Sequence, residues 1–231
     1  EIFALGDELQ ASVRHPEGAS PLRVAIGVTD SLPKILAHTI LRPAYDSGPQ
    51  VQVVCHEGRV TDLLGELAAF RLDLVIADEH APSSSPVKAH HHLLGDSAVT
   101  WCAAPRLATR LKSRFPRSLE GAPVLLPPTG SPLRRLLDPW FVAIGVSPQV
   151  IAEYDDRALM KMAAADGLGA LPLPAAATRE ATQRWGLRVL GRAGDCREQY
   201  YAITTERRVH HPAVLAITRA AHAVFSDRSR G

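Results

Sequence analysis

Cysteine is scarce in this chain of 231 residues. Cys55, Cys102 and Cys196 are odd in number, far apart and contain no CxxC pair, which excludes a disulfide framework and a zinc knuckle and points to a reducing, cytoplasmic setting. No apolar run approaches the roughly 18 to 20 residues of a membrane span, and residues 1–18 have neither the basic stretch nor the apolar core of a secretory signal. No membrane partner is expected. The first residue is Glu1 rather than Met, so the chain reads as a fragment or a processed form. An excess of one charge is lacking too: 26 Lys plus Arg stand against 24 Asp plus Glu, a net charge of +2. That is far from the basic surplus with which a chain grips phosphate backbones by itself. What remains, 46% hydrophobic and 22% charged residues, is the balance of a folded globular protein.

The apolar pattern alternates between strand and helix. Ile2, Leu5, Leu9 and Val13 recur at helical spacing, as at the end of a helix arriving from upstream. Residues 22–28 read as a buried strand, with Thr29, Asp30, Ser31 and Pro33 as the start of a helix. Residues 51–56 and 72–77 are further strands, flanking a helix with the stripe Val60, Leu63, Leu64, Leu67, Ala68. Residues 81–86 form a surface loop by composition, and residues 98–103 a strand leaving the first lobe. The alternation then restarts: a strand at 124–126, a helix opened by Thr129, Gly130, Ser131 and Pro132 and kinked at Pro139, a strand at 150–154, and a helix closed by Gly167. A last strand, 199–205, returns the chain, and His211–Pro212 opens a terminal helix. The class is α/β, with two Rossmann-like lobes joined by a double crossover. Lobe I spans 21–100 plus 204–228, lobe II spans 101–203, and residues 1–18 end the incoming helix. Such lobes bind small ligands in the cleft between them and respond by hinge closure.

Five blocks carry a resemblance: GVTDSLPK at 27–34, LDLVIADEHAPSS at 72–84, VTWCAA at 99–104, EYDDRALMK at 153–161 and YYAITTERRVHHPAV at 200–214. In this order they resemble the effector-binding domain of LysR-type transcriptional regulators, a type II periplasmic-binding-protein-like fold, and within that family its NhaR branch. The resemblance implies a transcriptional activator that answers to sodium or to a small ligand. It also implies a homodimer or homotetramer pairing antiparallel, lobe against lobe, and promoter DNA as a partner through an N-terminal winged helix-turn-helix that these residues do not contain. The alternative on the same two-lobe plan is the solute-binding protein of a transporter.

Residues just past the strand ends converge on one edge of a parallel sheet, and here they are acidic. Asp30, Glu57, Asp78, Glu79, Asp155 and Asp156 follow strands, while Thr29, Ser31, Thr100, Thr129, Gly130 and Ser131 offer hydroxyl or backbone groups. Carboxylate and hydroxyl oxygens are the ligands hard cations prefer, so a sodium site at Asp30 and Asp78 is one expectation. Helix capping by Asp30 or Ser31, and by Asp155 or Asp156, is the other. An organic acid at the helix opened by Thr129, Gly130 and Ser131 is the rival effector. His90, His91 and His92 are consecutive, point to alternate faces of an extended segment, and read as strand residues rather than one ligand set. His210 and His211 read as a helix start, Cys55 and Cys102 as inert thiols, and Trp101 and Trp140 as core or cleft wall. No nucleophile elbow, HExxH, Walker loop or GxGxxG occurs, so no enzyme is expected and no cofactor is required.

Overall fold

The computed structural model describes residues 22–45, 51–82, 87–205, 214–219 and 221. The incoming helix at 1–18 and the His210–His211 turn lie outside them. The strands are β1 (Leu22–Thr29), β2 (Val51–Gly58), β3 (Leu74–Ala77), β4 (His90–Ala103), β5 (Pro123–Leu126), β6 (Gln149–Glu153), β7 (Leu171–Pro174) and β8 (Arg188–Thr204). The helices are α1 (Lys34–Tyr45), α2 (Val60–Ala68), α3 (Pro105–Leu111), α4 (Pro132–Ile144), α5 (Arg157–Ala165) and α6 (Ala175–Trp185).

One six-stranded sheet has the order β2-β1-β3-β8-β4-β7, and β5 pairs with β6 in a second. β1, β2 and β3 are parallel, as strand–helix–strand crossovers require. β8 lies antiparallel to both β3 and β4. The double crossover is therefore a pair of long strands, 14 and 17 residues, bent by three register shifts along their shared ladder. The return strand is longer than the sequence pattern suggests. Residues 188–198 are mostly exposed and carry many charges, with only Leu190, Ala193 and Glu198 buried and no period of two, which hides the strand from the sequence pattern. His90, His91 and His92 sit in β4 opposite Thr204, Ile203 and Ala202.

The apolar core falls into two sets. Residues of β1, α1, β3 and the far end of β8 pack with Leu94 and the helical residues Val214 and Ile217, while Val60, Leu64 and Leu67 of α2 cover the opposite face against Val75, Tyr201 and Ile203. In the other half Trp101 is fully buried, stacked on Trp140 at 6.2 Å and tilted against Phe141 at 5.8 Å, among Leu107, Leu133 and Leu137. Trp101 and Trp140 are core residues. A separate cluster of Met160, Ala163, Leu171 and Ala177 closes the other side of β7. Gly167, just past α5, takes a φ of 89°, the left-handed conformation expected at a helix end.

Gly191 on β8 is held small by its neighbour, since a Cβ there would stand 2.5 Å from the Phe115 ring. Gly191→Ala is expected to cost about 1 to 3 kcal/mol by overpacking. In a double variant with Phe115→Leu the two costs should be less than additive, as urea unfolding of the four proteins would measure.

Candidate functional site

The carboxyl end of β3 is the focus. Its last residue is followed by Asp78, whose side chain is 0% exposed although two carboxylate oxygens must be satisfied. Oδ1 accepts hydrogen bonds from Thr29 Oγ1 at 3.1 Å and Ser31 Oγ at 2.6 Å. These two residues end β1 and begin the following turn, so the parallel pairing of β1 with β3 brings all three together. Oδ2 takes no hydrogen bond and faces Arg157 Nη2 at 3.6 Å. Arg157 is the first residue of α5, in the other half of the molecule, and the same Nη2 donates to Glu198 Oε1 of β8 at 2.6 Å. The Arg157 and Glu198 side chains are 7% and 1% exposed. A buried network thus joins β1, β3, β8 and α5.

Burial works against the Arg157 charge, but Glu198, the hydrogen bond it accepts, and Asp78 offset this and hold the guanidinium above its ordinary range. Tyr200, two residues from Glu198 and on the same face, has its phenol pushed well above the usual value by burial and by the Glu198 and Asp78 charges, with Arg157 opposing. Two carboxylates share one guanidinium, so the network carries a formal charge of −1.

In front of it lies a cleft of about 540 Å³. It is lined by Asp78, Glu79 and His80 after β3, by Pro132, Arg135 and Leu136 of α4, and by Arg197, Glu198, Gln199 and Tyr201 of β8. Arg135 crosses the opening, donating to Glu79 Oε2 at 2.8 Å and to the Gly130 carbonyl at 2.5 Å. Arg197 is paired with Asp96 of β4. The His80 ring packs at a tilt of 44° against Tyr201, with centroids 4.1 Å apart, and lies 4.9 Å from His91. A second cavity of about 400 Å³, beside Arg134, Asp138 and Val142, has no comparable buried polar network.

The acidic residues expected at the strand ends separate into two groups. Asp78, Thr29 and Ser31 come together, and Glu79 lines the cleft. Asp30 is exposed, with its backbone N–H on the Gly58 carbonyl, and does not line the cleft. The pairing of Asp30 with Asp78 as cation ligands is therefore not formed. The turn at 29–33 carries Asp30 away, and among the described residues no group of three His, Cys, Asp or Glu could hold a metal ion. Neither Asp30 nor Ser31 caps α1, which begins after Pro33, and Ser31 spends its hydroxyl on Asp78. Glu57 is exposed on β2 and pairs with Lys34. Thr100 is buried inside β4 between β7 and β8. Ser131 caps α4, accepting from Arg134 N at 3.4 Å, so its hydroxyl serves the helix rather than an anion. Thr129 is exposed, and Gly130, at φ 86°, supplies the carbonyl for Arg135. Asp156 caps α5 by accepting from Ala158 N, and Asp155 stays exposed.

Arg157 and Glu198 were not among the expected site residues. Arg157 directly follows the Asp155–Asp156 pair, so the strand-end rule that found those carboxylates reached within one residue of it. Glu198 shares a strand face with Tyr200 and Ala202, and a carboxylate on an otherwise buried face is the signal that marks it.

The sequence profile of the LysR substrate binding domain matches residues 18–226. The chain belongs to that family. The transcriptional activator NhaR of Escherichia coli is 30% identical over 232 residues, covering 100% of this chain and 75% of that protein. Among solved structures, the reduced regulatory domain of OxyR2 from Vibrio vulnificus superposes with a TM-score of 0.71 at 13% identity, covering 88% of this chain and 96% of that one. The effector-binding domain of QuiR, in complex with shikimate, superposes at 0.65 and 14% identity, covering 90% and 99%. These two show the fold. The relatives are transcriptional regulators rather than enzymes, and this LysR-type chain is an effector-sensing regulatory domain of that class. Cys102 is buried, which pushes its thiol up to about 12, and Cys55 and Cys196 are also raised by burial. All three are poor thiolates at neutral pH.

Burial, with His80, His92 and His90 beside it, holds the His91 imidazole below the ordinary histidine range, and its Nδ1 is buried without a hydrogen bond. In the window below about pH 6.5 the unfolded chain therefore takes up a proton that the folded chain resists, so stability falls as pH falls. The midpoint of thermal unfolding, followed from pH 7.5 to 5.5, should drop less steeply in His91→Phe than in the parent.

Proposed function

We propose that the effector of this regulatory domain is a small monovalent cation, sodium first, bound in the cleft beside Asp78 and Glu198. The observation that carries the reading is the buried network of two carboxylates and one guanidinium, with Asp78 Oδ2 lacking a hydrogen bond. Sign decides between effector classes here. At 4 Å and an effective dielectric constant near 20, unit charges interact by about 4 kcal/mol, favourable for a cation against the −1 network and unfavourable for an anion. The resemblance to the NhaR branch points the same way. Such an ion would draw on the oxygens of Asp78, Glu198, Thr29 and Ser31, with water completing the shell.

A second reading has its own support, because about 540 Å³ exceeds what a bare ion needs and suits a small organic molecule. An organic acid would have to take Arg135 from Glu79, a half-exposed pair worth little by itself. In either case effector binding shifts a closed-to-open balance of the two halves and is transmitted to a DNA-binding domain elsewhere in the protein. Assembly as a homodimer or homotetramer in the cytoplasm completes the proposal. The exposed edge strands β2 and β6 and the exposed apolar residues Val142, Val150 and Ile151 are surfaces suited to pairing.

The test is thermal unfolding in NaCl, LiCl, KCl and choline chloride at matched ionic strength. At ten times its dissociation constant a ligand of the native state adds about 1.4 kcal/mol, a rise of several degrees for a domain of this size. A rise in NaCl or LiCl that choline chloride does not produce, and that Asp78→Asn abolishes, is expected. Equal midpoints in all four salts, with a rise in a small carboxylic acid, would transfer the case to the second reading.

A further inference from the structure

The network in front of β3 is a counted set of charges, and one member is out of place for an ion site. Asp78 and Glu198 supply two buried carboxylates, and Thr29 and Ser31 direct their hydroxyls at the first of them. Those four side chains own six oxygens, the number a calcium ion takes at minimum. Against them stands Arg157, brought in from α5 and hydrogen-bonded to Glu198, with a second nitrogen, Nη1, that has no hydrogen-bond partner. The helix α5 has its cap in Asp156 and its apolar contacts in Met160, Ala163 and Ala164, and Arg157 adds the ion pairs that tie it to Asp78 and Glu198. The guanidinium does set the charge that any incoming ion meets.

We infer that Arg157 is a specificity-determining residue that sets the valence of the ion accepted beside Asp78, by reducing two buried carboxylates to a net charge of one. The inference rests on the cation reading of the cleft. With Arg157 in place a monovalent ion brings the site to neutrality. A divalent ion would leave a buried positive charge and meet too few free oxygens, because Glu198 Oε1 is held by the guanidinium. Without Arg157 the carboxylates present −2 and their full oxygen set, conditions that favour a divalent ion, whose affinity follows ligand charge count. Neutralising Glu198 instead leaves a balanced Asp78–Arg157 pair with no call on a cation.

The experiment is a charge-counting cycle: the parent chain, Arg157→Met, Glu198→Gln and the Arg157→Met/Glu198→Gln double variant. Each is unfolded thermally in NaCl, LiCl, choline chloride and CaCl2 at matched ionic strength, with circular dichroism reporting the folded fraction. The parent should rise by several degrees in NaCl or LiCl only. Arg157→Met should rise in CaCl2 instead or, if unfolded in choline chloride, should fold when CaCl2 is added. Glu198→Gln should respond to no cation. The double variant, again at −1, should regain the monovalent response, which a merely structural arginine would not restore. If the parent responds to sodium or lithium while Arg157→Met keeps that selectivity, gains nothing from CaCl2, or Glu198→Gln still responds, the inference is overturned and the cation reading stands. A parent with no specific response to any cation overturns both.

Discussion

A guanidinium shared between two buried carboxylates holds the two halves of this molecule against one another. Arg157 arrives at the start of α5, Asp78 at the end of β3, and Glu198 within β8, and their side chains are almost completely removed from water. Taking three charges out of water is expensive, and such a set adds little net stability compared with apolar side chains of equal volume. Its cost lies in being broken: removal of one member leaves an uncompensated buried charge, a loss of several kcal/mol. The ion set adds a directional contact to the apolar one that α1 and α6 make between the halves, where Ala176 joins the core of β1, α1 and β3 and Ile35 packs against the cluster of Met160, Leu171 and Ala177.

The rest of the architecture serves that point. Parallel pairing of β1 with β3 delivers two hydroxyls to Asp78. The long antiparallel pair β4 and β8 carries the chain between halves and brings Glu198 to the lining of the cleft, with Tyr200 buried on the same strand face. Arg135 and Glu79 close the opening with a pair that is half exposed and so cheap to exchange. A deep fixed ion set and a shallow exchangeable one, arranged across a pair of hinge strands, are the parts that a ligand-driven change in lobe geometry needs.

The amino-acid pattern made much of this legible. The alternation of apolar strands with amphipathic stripes, such as Val60, Leu63, Leu64 and Leu67, placed the helices and the parallel sheet, and five short blocks pointed to the family that the profile match establishes. Asp78, Thr29 and Ser31 were found because chain topology alone sends strand ends to one edge. Asp30 was misplaced because an acidic residue in a turn can face either way, and sequence does not say which neighbour the next hydroxyl prefers. Ser31 illustrates it: a serine before Pro33 has the residue type of a helix cap, yet α1 starts only at Lys34 and the hydroxyl donates to the buried Asp78 carboxylate instead. Glu198 was missed because residues 188–198 mix charge and burial so closely that their strand character comes from pairing with β4, a long-range cause that local pattern does not carry.

Coupling between Asp78 and Arg157 tests the central claim most directly. Urea unfolding of the parent, Asp78→Asn, Arg157→Met and the double variant gives that coupling as a double-mutant cycle. One network across the cleft predicts single losses that fail to add, with an interaction energy above about 1 kcal/mol. Additivity within about 0.5 kcal/mol would mean that the two side chains are energetically independent and that another contact registers the halves.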